Sequence, residues 1–351
     1  MSDALIVVDL GNSSVAAAHG PAPTRAVLAR AARSRPALEP LVAGAPSGDP
    51  LAADGALAAA LGALAQRSRL SGAGAAQVWG SSVARPARAA QLADLVRAAG
   101  LPELRLNAPS GLALALRCPE TCGFDRQYAA RAALERSLAE LETGALVVDV
   151  GTAMTVDAVV ARSDARGAAA LAALGLGPPL AAQAGVFLGG AIAPGPRLLA
   201  SALARGGARL FEVDGLQDDV PALGRDSAAA LRSGIVHGLA GAAAELVRRV
   251  GRDAALDDAP IWVTGGAAPL VFGTLRAAFG ARARPAPGLV LEGLAYVAHD
   301  AQAAERPDLE RQGPDHPGPD HPGPNHPDPN HPDPDRPELE GPHDARAEQH
   351  R

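Results

Sequence analysis

Two carboxylates stand at the ends of short apolar runs, and each is followed by a glycine and a hydroxyl side chain. The first run leads into Asp9–Ser14 (DLGNSS) and the second into Asp149–Thr152 (DVGT). A carboxylate at a strand end can hold Mg²⁺ through water, and backbone and hydroxyl donors in a tight turn can cradle phosphate without a lysine. Either segment alone also describes an ordinary hairpin turn. Together they favour a site that grips a polyphosphate from two sides.

A third carboxylate, Asp125, lies beside Arg126 in the segment Gly123–Arg126 (GFDR). In a kinase cleft, such a carboxylate can accept the proton of an attacking hydroxyl, and the arginine can hold an anionic group of the substrate. The alternative is a solvated surface pair.

A pair of glycines follows a predicted buried strand, in Thr264-Gly265-Gly266. Glycines at this place allow a flat ligand, such as a nucleotide base or ribose, to approach the backbone closely. The alternative is a plain turn between a strand and a helix.

Composition excludes several classes of protein. The 351 residues include no lysine, which excludes the P-loop and protein-kinase mechanisms. The net charge of −6 and the lack of a basic stripe argue against nucleic acid as a partner. The two cysteines, Cys118 and Cys122, are interpreted as free thiols. We find no signal peptide and no apolar run of membrane length, so a cytoplasmic protein that does not bind a membrane is expected.

The elements that must position these residues alternate between strands and helices, which predicts an α/β fold. Two strand–turn–strand openings, at Leu5–Ala18 and Leu146–Val160, indicate an internal duplication. Further strands are predicted at 77–83, 185–192 and 261–264, and helices at 51–66, 86–99, 227–250, 269–279 and 291–304. From about residue 306, five-residue repeats rich in Pro, Asp and His predict a disordered tail, either simply solvated or weakly metal-binding.

These segments, in this order, resemble type III pantothenate kinase, within the acetate and sugar kinase, Hsp70 and actin superfamily. The resemblance covers nearly all of residues 5–297. It implies duplicated actin-like (ribonuclease H-like) domains at 1–143 and 144–305, a nucleotide cleft between them, and the disordered tail at 306–351. The matching segments are DLGNSS (9–14), SSVARP (81–86), GFDR (123–126), DVGTAMTVD (149–157), FLGGAIAPG (187–195), GRDSAAALRSGIVHG (224–238), VTGG (263–266) and LVLEGL (289–294).

The resemblance also implies an activity: ATP-dependent phosphorylation of pantothenate to 4′-phosphopantothenate, the first step of coenzyme A biosynthesis, by a homodimer. Asp125 would be the general base, Asp9 would lie near Mg²⁺ through the phosphates, and Asp149 would bind a monovalent cation, K⁺ or NH₄⁺. Pantothenate would contact Gly123, Phe124, Asp125, Arg126 and Ser227. ATP would contact Asp9, Leu10, Gly11, Asn12, Ser13, Ser14, Val15, Ala16 and Thr152.

Some positions depart from the family pattern. Ser13 and Ser227 replace the usual threonine and keep the hydroxyl. Leu116 replaces a substrate-contacting tyrosine, which removes a phenolic hydrogen bond. The stretch 161–184 is interpreted as a flexible insertion. Two alternatives stay open: a non-catalytic regulatory or binding protein on the same fold, and a kinase of a related hydroxylated acid.

Overall fold

The computed structural model describes residues 4–11, 15–21, 39–42, 51, 55–71 and 77–305. The described residues all belong to one compact unit. The predicted tail at 306–351 and the turn residues Asn12, Ser13 and Ser14 lie outside the described residues.

The first sheet has the strand order β3-β2-β1-β4-β5. Strand β1 is antiparallel to β2 and parallel to β4. Alternate residues of β1 are buried on opposite faces, so the sheet is covered on both sides. The strands are β1 (Ala4–Leu10), β2 (Val15–Pro21), β3 (Glu39–Val42), β4 (Gln77–Ser82) and β5 (Leu104–Leu106).

The second sheet repeats this arrangement. Its order is β11-β10-β7-β8-β9-β6, so the run from β9 to β11 reproduces the order of β3 to β5. Strand β7 is antiparallel to β8 and parallel to β10, as β1 is to β2 and β4. The α/β class and the internal duplication are therefore confirmed. The strands are β6 (Leu112–Leu114), β7 (Gly144–Val150), β8 (Ala153–Ala161), β9 (Gly185–Pro194), β10 (Ile261–Thr264) and β11 (Ala283–Pro285).

The helices cover both sheets. Helices α3 and α8 share one apolar cluster with residues from β1 and β7, so they pack between the sheets. Helices α1 and α2 cover the outer face of the first sheet, and α4, α6 and α7 that of the second. The helices are α1 (Ala56–Ser71), α2 (Pro86–Ala98), α3 (Phe124–Ala139), α4 (Ala165–Ala173), α5 (Pro196–Gly206), α6 (Ser227–Asp253), α7 (Pro269–Phe279) and α8 (Leu289–Glu305).

The predicted strands and helices are present with shifted ends, whereas helices α3 and α5 were not predicted. The expectation of a flexible insertion at 161–184 is wrong, because residues 165–173 form α4. Asp164 caps this helix by accepting a hydrogen bond from the Arg166 N–H, and Leu171 is buried in the core.

The domain division at residue 143 stays a prediction. Strand β6, which precedes this position, pairs in parallel with β9 of the second sheet. Cys118 is exposed and Cys122 is buried, and both are free thiols, as expected. None of the described helices is long and apolar enough to cross a membrane.

Candidate active site

Strand β1 delivers Asp9 to the end of the first sheet. Asp9 lies opposite Ala16 on β2 and Ser81 on β4. Among the described residues, neither Asp9 Oδ1 nor the buried Ser81 hydroxyl has a hydrogen-bond partner of good geometry. Burial, and then the negative charge of Asp125, raise the pKa of Asp9 to about 7, although the nearby Ser81 hydroxyl counteracts this in part. Asp9 is therefore a buried carboxylate whose charge is not offset by any arginine of the described residues.

Strand β7 delivers Asp149 to the equivalent place in the second sheet. It lies opposite Thr155 on β8 and Thr264 on β10. Burial, followed by the charges of Asp125, Asp9 and Asp157, raises the pKa of Asp149 to about 7. The two hairpins thus bring their carboxylates into one electrostatic group.

Asp125 joins this group from the first turn of α3. Its Oδ1 accepts a hydrogen bond of 2.8 Å from the Arg126 backbone N–H. A Cβ on Gly123 would lie 2.4 Å from Asp125 Oδ1, so a larger residue at position 123 would clash with the carboxylate. Burial raises the pKa of Asp125, and hydrogen bonding and the charge of Arg126 partly offset this. A carboxylate with a raised pKa, near the ends of both hairpins, is suited to general base catalysis.

The Arg126 guanidinium is held by Asp157, a residue to which the sequence assigned no role. Arg126 Nε lies 3.2 Å from both carboxylate oxygens of Asp157, and Nη2 lies 2.5 Å from Oδ1. Asp157 closes the segment 149–157, but only the fold brings it to Arg126. The spacing of Asp149 and Asp157 along a hairpin carried no signal for this pair.

The two glycines after β10 have different surroundings. A Cβ on Gly265 would lie 2.4 Å from Asp149 Oδ1 and 2.5 Å from the Val150 nitrogen. Gly265 therefore accommodates the second hairpin rather than a ligand. Gly266 is exposed, and a Cβ added to it would have no atom within 4 Å. Gly266 also lines a pocket.

That pocket has a volume of about 700 Å³. It is bounded by the start of α5 (Pro196 and Arg197), the loop 212–219 and the segment from Gly266 to the start of α7. A cavity of this size holds a ligand of nucleoside dimensions. It adjoins Asp149 through the Gly265-Gly266 turn.

Four more of the predicted site residues lie in three different places. Leu10 and Val15 are buried in the apolar core, so only their backbone groups are available to a ligand. Thr152 lies at the tip of the β7–β8 hairpin, where its carbonyl accepts a hydrogen bond of 3.0 Å from the Gly195 N–H. Ser227 is exposed at the start of α6, and no contact between described residues joins it to the carboxylates.

No group of three or more His, Cys, Asp or Glu side chains within the described part of the chain could hold a metal ion by itself. The unpartnered Asp9 oxygen and the uncompensated charge around Asp149 nevertheless suit a cation that arrives together with phosphate oxygens. The residues fit such an ion.

Leu116 packs against the apolar cluster that holds α3 and α8. Its Cδ2 would lie 3.3 Å from a Cβ on Gly189. Tyr128 does not replace the missing phenol, because its hydroxyl donates to the Ala108 carbonyl at 2.7 Å.

The chain is similar in sequence to known proteins. The family model "Type III pantothenate kinase" matches residues 5–176 and 180–249. A type III pantothenate kinase of Alkalilimnicola ehrlichii is 38% identical over 205 residues, which cover 58% of this chain and 70% of that protein. One from Thermobifida fusca is 36% identical over 165 residues, 46% of this chain and 53% of that protein. The match thus spans only about half the length of the second relative.

Among solved structures, MreB5 of Spiroplasma citri bound to ADP aligns with a TM-score of 0.40 at 12% identity, covering 89% of this chain and 99% of that one. The strand order of the two sheets, rather than this likeness, defines the fold.

Proposed function

The chain belongs to the type III pantothenate kinase family, and we propose that it transfers the γ-phosphoryl group of ATP to pantothenate, which forms 4′-phosphopantothenate for coenzyme A biosynthesis. One observation carries this proposal. Asp9, Asp125 and Asp149 come from three distant segments, and each pair of them interacts electrostatically at one place. Such a convergence supports a site for positioning phosphates and an acceptor hydroxyl.

Asp125 is the proposed general base. It takes the proton from the primary hydroxyl of pantothenate while that oxygen attacks the γ-phosphorus in line. Its raised pKa strengthens it as a base relative to an exposed aspartate. Its position in the first turn of α3 keeps it fixed, so little motion is needed before proton transfer.

The two hairpins are the proposed phosphate site. Backbone groups of residues 9–16 and Thr152 would bind the phosphate oxygens, since the chain has no lysine for this role. Asp9 would hold Mg²⁺ and Asp149 a monovalent cation, and these ions would supply positive charge to the phosphates. The base and ribose would occupy the pocket beside Gly266.

The acceptor site is proposed at the start of α3. Gly123 and Phe124 would contact pantothenate, and Arg126 would bind its carboxylate. The Arg126 side chain is 16% exposed, so an arriving anion can reach it.

We also propose that the protein is a homodimer. In the dimer, the Ser227 hydroxyl would lie near the substrate. Five of the nine large apolar side chains exposed in the described part of the chain fall within 192–211. Such a concentration favours a protein contact. Sedimentation of the purified chain would test this, and a monomer at micromolar concentration would contradict it.

The function is tested by ADP release from ATP with Mg²⁺ and pantothenate, with and without K⁺. Turnover that requires both pantothenate and K⁺ is expected. Turnover only with other hydroxylated acids would move the acceptor away from pantothenate, as the loss of a phenol at Leu116 allows. Nucleotide binding without turnover of any acceptor would favour a regulatory protein.

Asp125→Asn is expected to lower kcat by about 10²–10⁴-fold, because the amide cannot accept the proton. ATP binding should be retained, since Asp125 does not hold the phosphates. Asp94→Asn, at an exposed pair on α2, is the matched control and should retain wild-type kcat. A wild-type kcat for Asp125→Asn would remove Asp125 from the role of base.

A further inference from the structure

Arg126 is held by a buried ion pair with Asp157, and the proposed function gives Asp157 no role. The Asp157 side chain is only 1% exposed, whereas Arg126 is 16% exposed. The hydrogen bonds of the Arg126 guanidinium to described residues involve Nε and Nη2 and all go to Asp157. The Nη1 amino group is left for a ligand.

The surroundings of Asp157 are built to hold it there. Asp157 pairs with Gly190 across β8 and β9, and the register of these strands shifts at the next step, between Ala158 and Val159. A Cβ on Gly190 would lie 2.4 Å from Asp157 Oδ1, so a side chain at position 190 would displace the carboxylate. The bulge and the glycine together orient the Asp157 carboxylate toward Arg126. Bulges near active sites often reorient a side chain in this way.

The Arg126 guanidinium packs against an aromatic ring in addition to its ion pair with Asp157. The Arg126 Cζ lies 5.5 Å from the centre of the Phe187 ring, and Phe187 is fully buried. This stacking and the two-pronged pair with Asp157 leave the guanidinium little freedom to turn.

Asp157 also separates two charges that would otherwise meet. Arg126 adjoins Asp125 in sequence and interacts with its charge. Besides Asp157, the described carboxylate whose charge acts on Arg126 is Asp125, the proposed base. An ion pair of Arg126 with Asp125 would occupy both the base and the anion-binding group.

We infer that Asp157 is a positioning residue for the acceptor, which holds the Arg126 guanidinium toward the carboxylate of the substrate and away from Asp125. This inference rests on the proposed function. Asp157 itself does not touch the substrate and acts through Arg126.

The experiment compares the KM values of two substrates, pantothenate and ATP, in wild type and in Asp157→Asn. Only pantothenate carries the carboxylate that Arg126 is proposed to bind. For pantothenate, KM is expected to rise roughly 10- to 100-fold in Asp157→Asn, because a charge-assisted contact is misplaced. For ATP, KM should change much less. A role confined to folding would lower Tm and the active fraction and leave the pantothenate KM at its wild-type value.

A matched control is Glu292→Gln, which breaks another buried, two-pronged arginine pair. Arg136 and Glu292 have side chains 5% and 6% exposed, with Arg136 Nη2 2.6 Å from Glu292 Oε2. This variant is expected to lower Tm but to keep the ratio of the two KM values at the wild-type level.

The double variant Arg126→Met/Asp157→Asn guards against failure of the single variant to fold, because it removes both buried charges together. If Asp157 acts through Arg126, the double variant has the same pantothenate KM as Arg126→Met alone. Additive increases would overturn the inference.

The outcomes separate the two proposals. If the wild type turns over pantothenate but Asp157→Asn leaves the pantothenate KM unchanged or changes both KM values to the same degree, Asp157 is not a positioning residue, and the kinase function stands. If the wild type neither binds nor turns over pantothenate, both proposals fall.

Discussion

At the scale of single residues, the candidate site is an excess of buried negative charge. The charges of Asp9, Asp125 and Asp157 all act on Asp149, and Arg126 offers a positive charge to Asp125 and Asp157. Arg126 pairs with Asp157 and leaves Asp9 and Asp149 with raised pKa values of about 7. A site of this kind gains most from a ligand that brings cations with it, as a nucleotide with its metal ion does.

The raised pKa values predict how stability depends on pH. A carboxylate with a pKa of about 3.8 in the unfolded chain and about 7 in the folded one binds its proton more tightly in the folded chain. Its stabilising contribution to the free energy of unfolding is therefore fully present below about pH 4 and is lost as the pH rises to about 7. Each pKa unit corresponds to about 1.4 kcal/mol, so the loss amounts to a few kcal/mol.

Asp149→Asn makes this measurable, because the amide resembles the protonated acid. Without ligand, its Tm should match the wild type near pH 4 and exceed it at pH 8. Thermal unfolding at both pH values checks this. A difference in Tm that does not grow with pH would show that Asp149 titrates normally.

At the scale of elements, the site depends on two hairpins and the loop that packs on one of them. The β7–β8 turn is enclosed by the turn after β10, where Gly265 has φ of +95°. A side chain there meets backbone atoms of Val150 as well as Asp149. The glycine is thus required by packing between elements, in a conformation that other residues rarely adopt.

Gly265→Ala is expected to lower the free energy of unfolding by about 2 kcal/mol or more, from backbone strain and the contact with Val150. Gly266→Ala is the matched control for stability, because the new methyl group would have no atom within 4 Å. Denaturant unfolding of both variants measures the effect. Equal stability of the two variants would contradict this account.

At the scale of the whole molecule, α3 and α8 join the two sheets. A Cβ on Gly293 of α8 would lie 1.9 Å from the Tyr128 carbonyl oxygen of α3, so the helix backbones approach closely. Arg136 and Glu292 form a buried pair between the same helices, and Arg136 stacks on Trp262 at 5.1 Å. Because α3 begins with Asp125 and Arg126, the packing that joins the sheets also places the acceptor site.

Glu292→Gln is expected to lower the free energy of unfolding by about 3–5 kcal/mol, because it leaves the buried Arg136 charge without its partner. Asp94→Asn, which breaks a pair whose side chains are 75% and 69% exposed, should cost about 1 kcal/mol or less. Denaturant unfolding compares the two. A similar small loss for both would mean that water reaches Arg136.

The sequence by itself determined most of the elements and three of the carboxylates, Asp9, Asp125 and Asp149. Apolar runs ending in Asp9 and Asp149 predict the two hairpins, because strand and turn preferences act between neighbouring residues. The segment GFDR pointed to Asp125, and the resemblance to a family implied its role as general base. Most helices follow from local patterns of apolar residues and prolines.

Only the tertiary structure decided which of these residues meet. Asp157 pairs with Arg126 across 31 residues, and Glu292 pairs with Arg136 across 156. Strand β6 joins the second sheet although it precedes the predicted domain boundary. Local preferences carry no information about such contacts, because they depend on which faces of distant elements are buried together. The sequence therefore predicted the chemistry of the site, while the fold decided that Arg126 is held by Asp157 and that Gly265 accommodates Asp149.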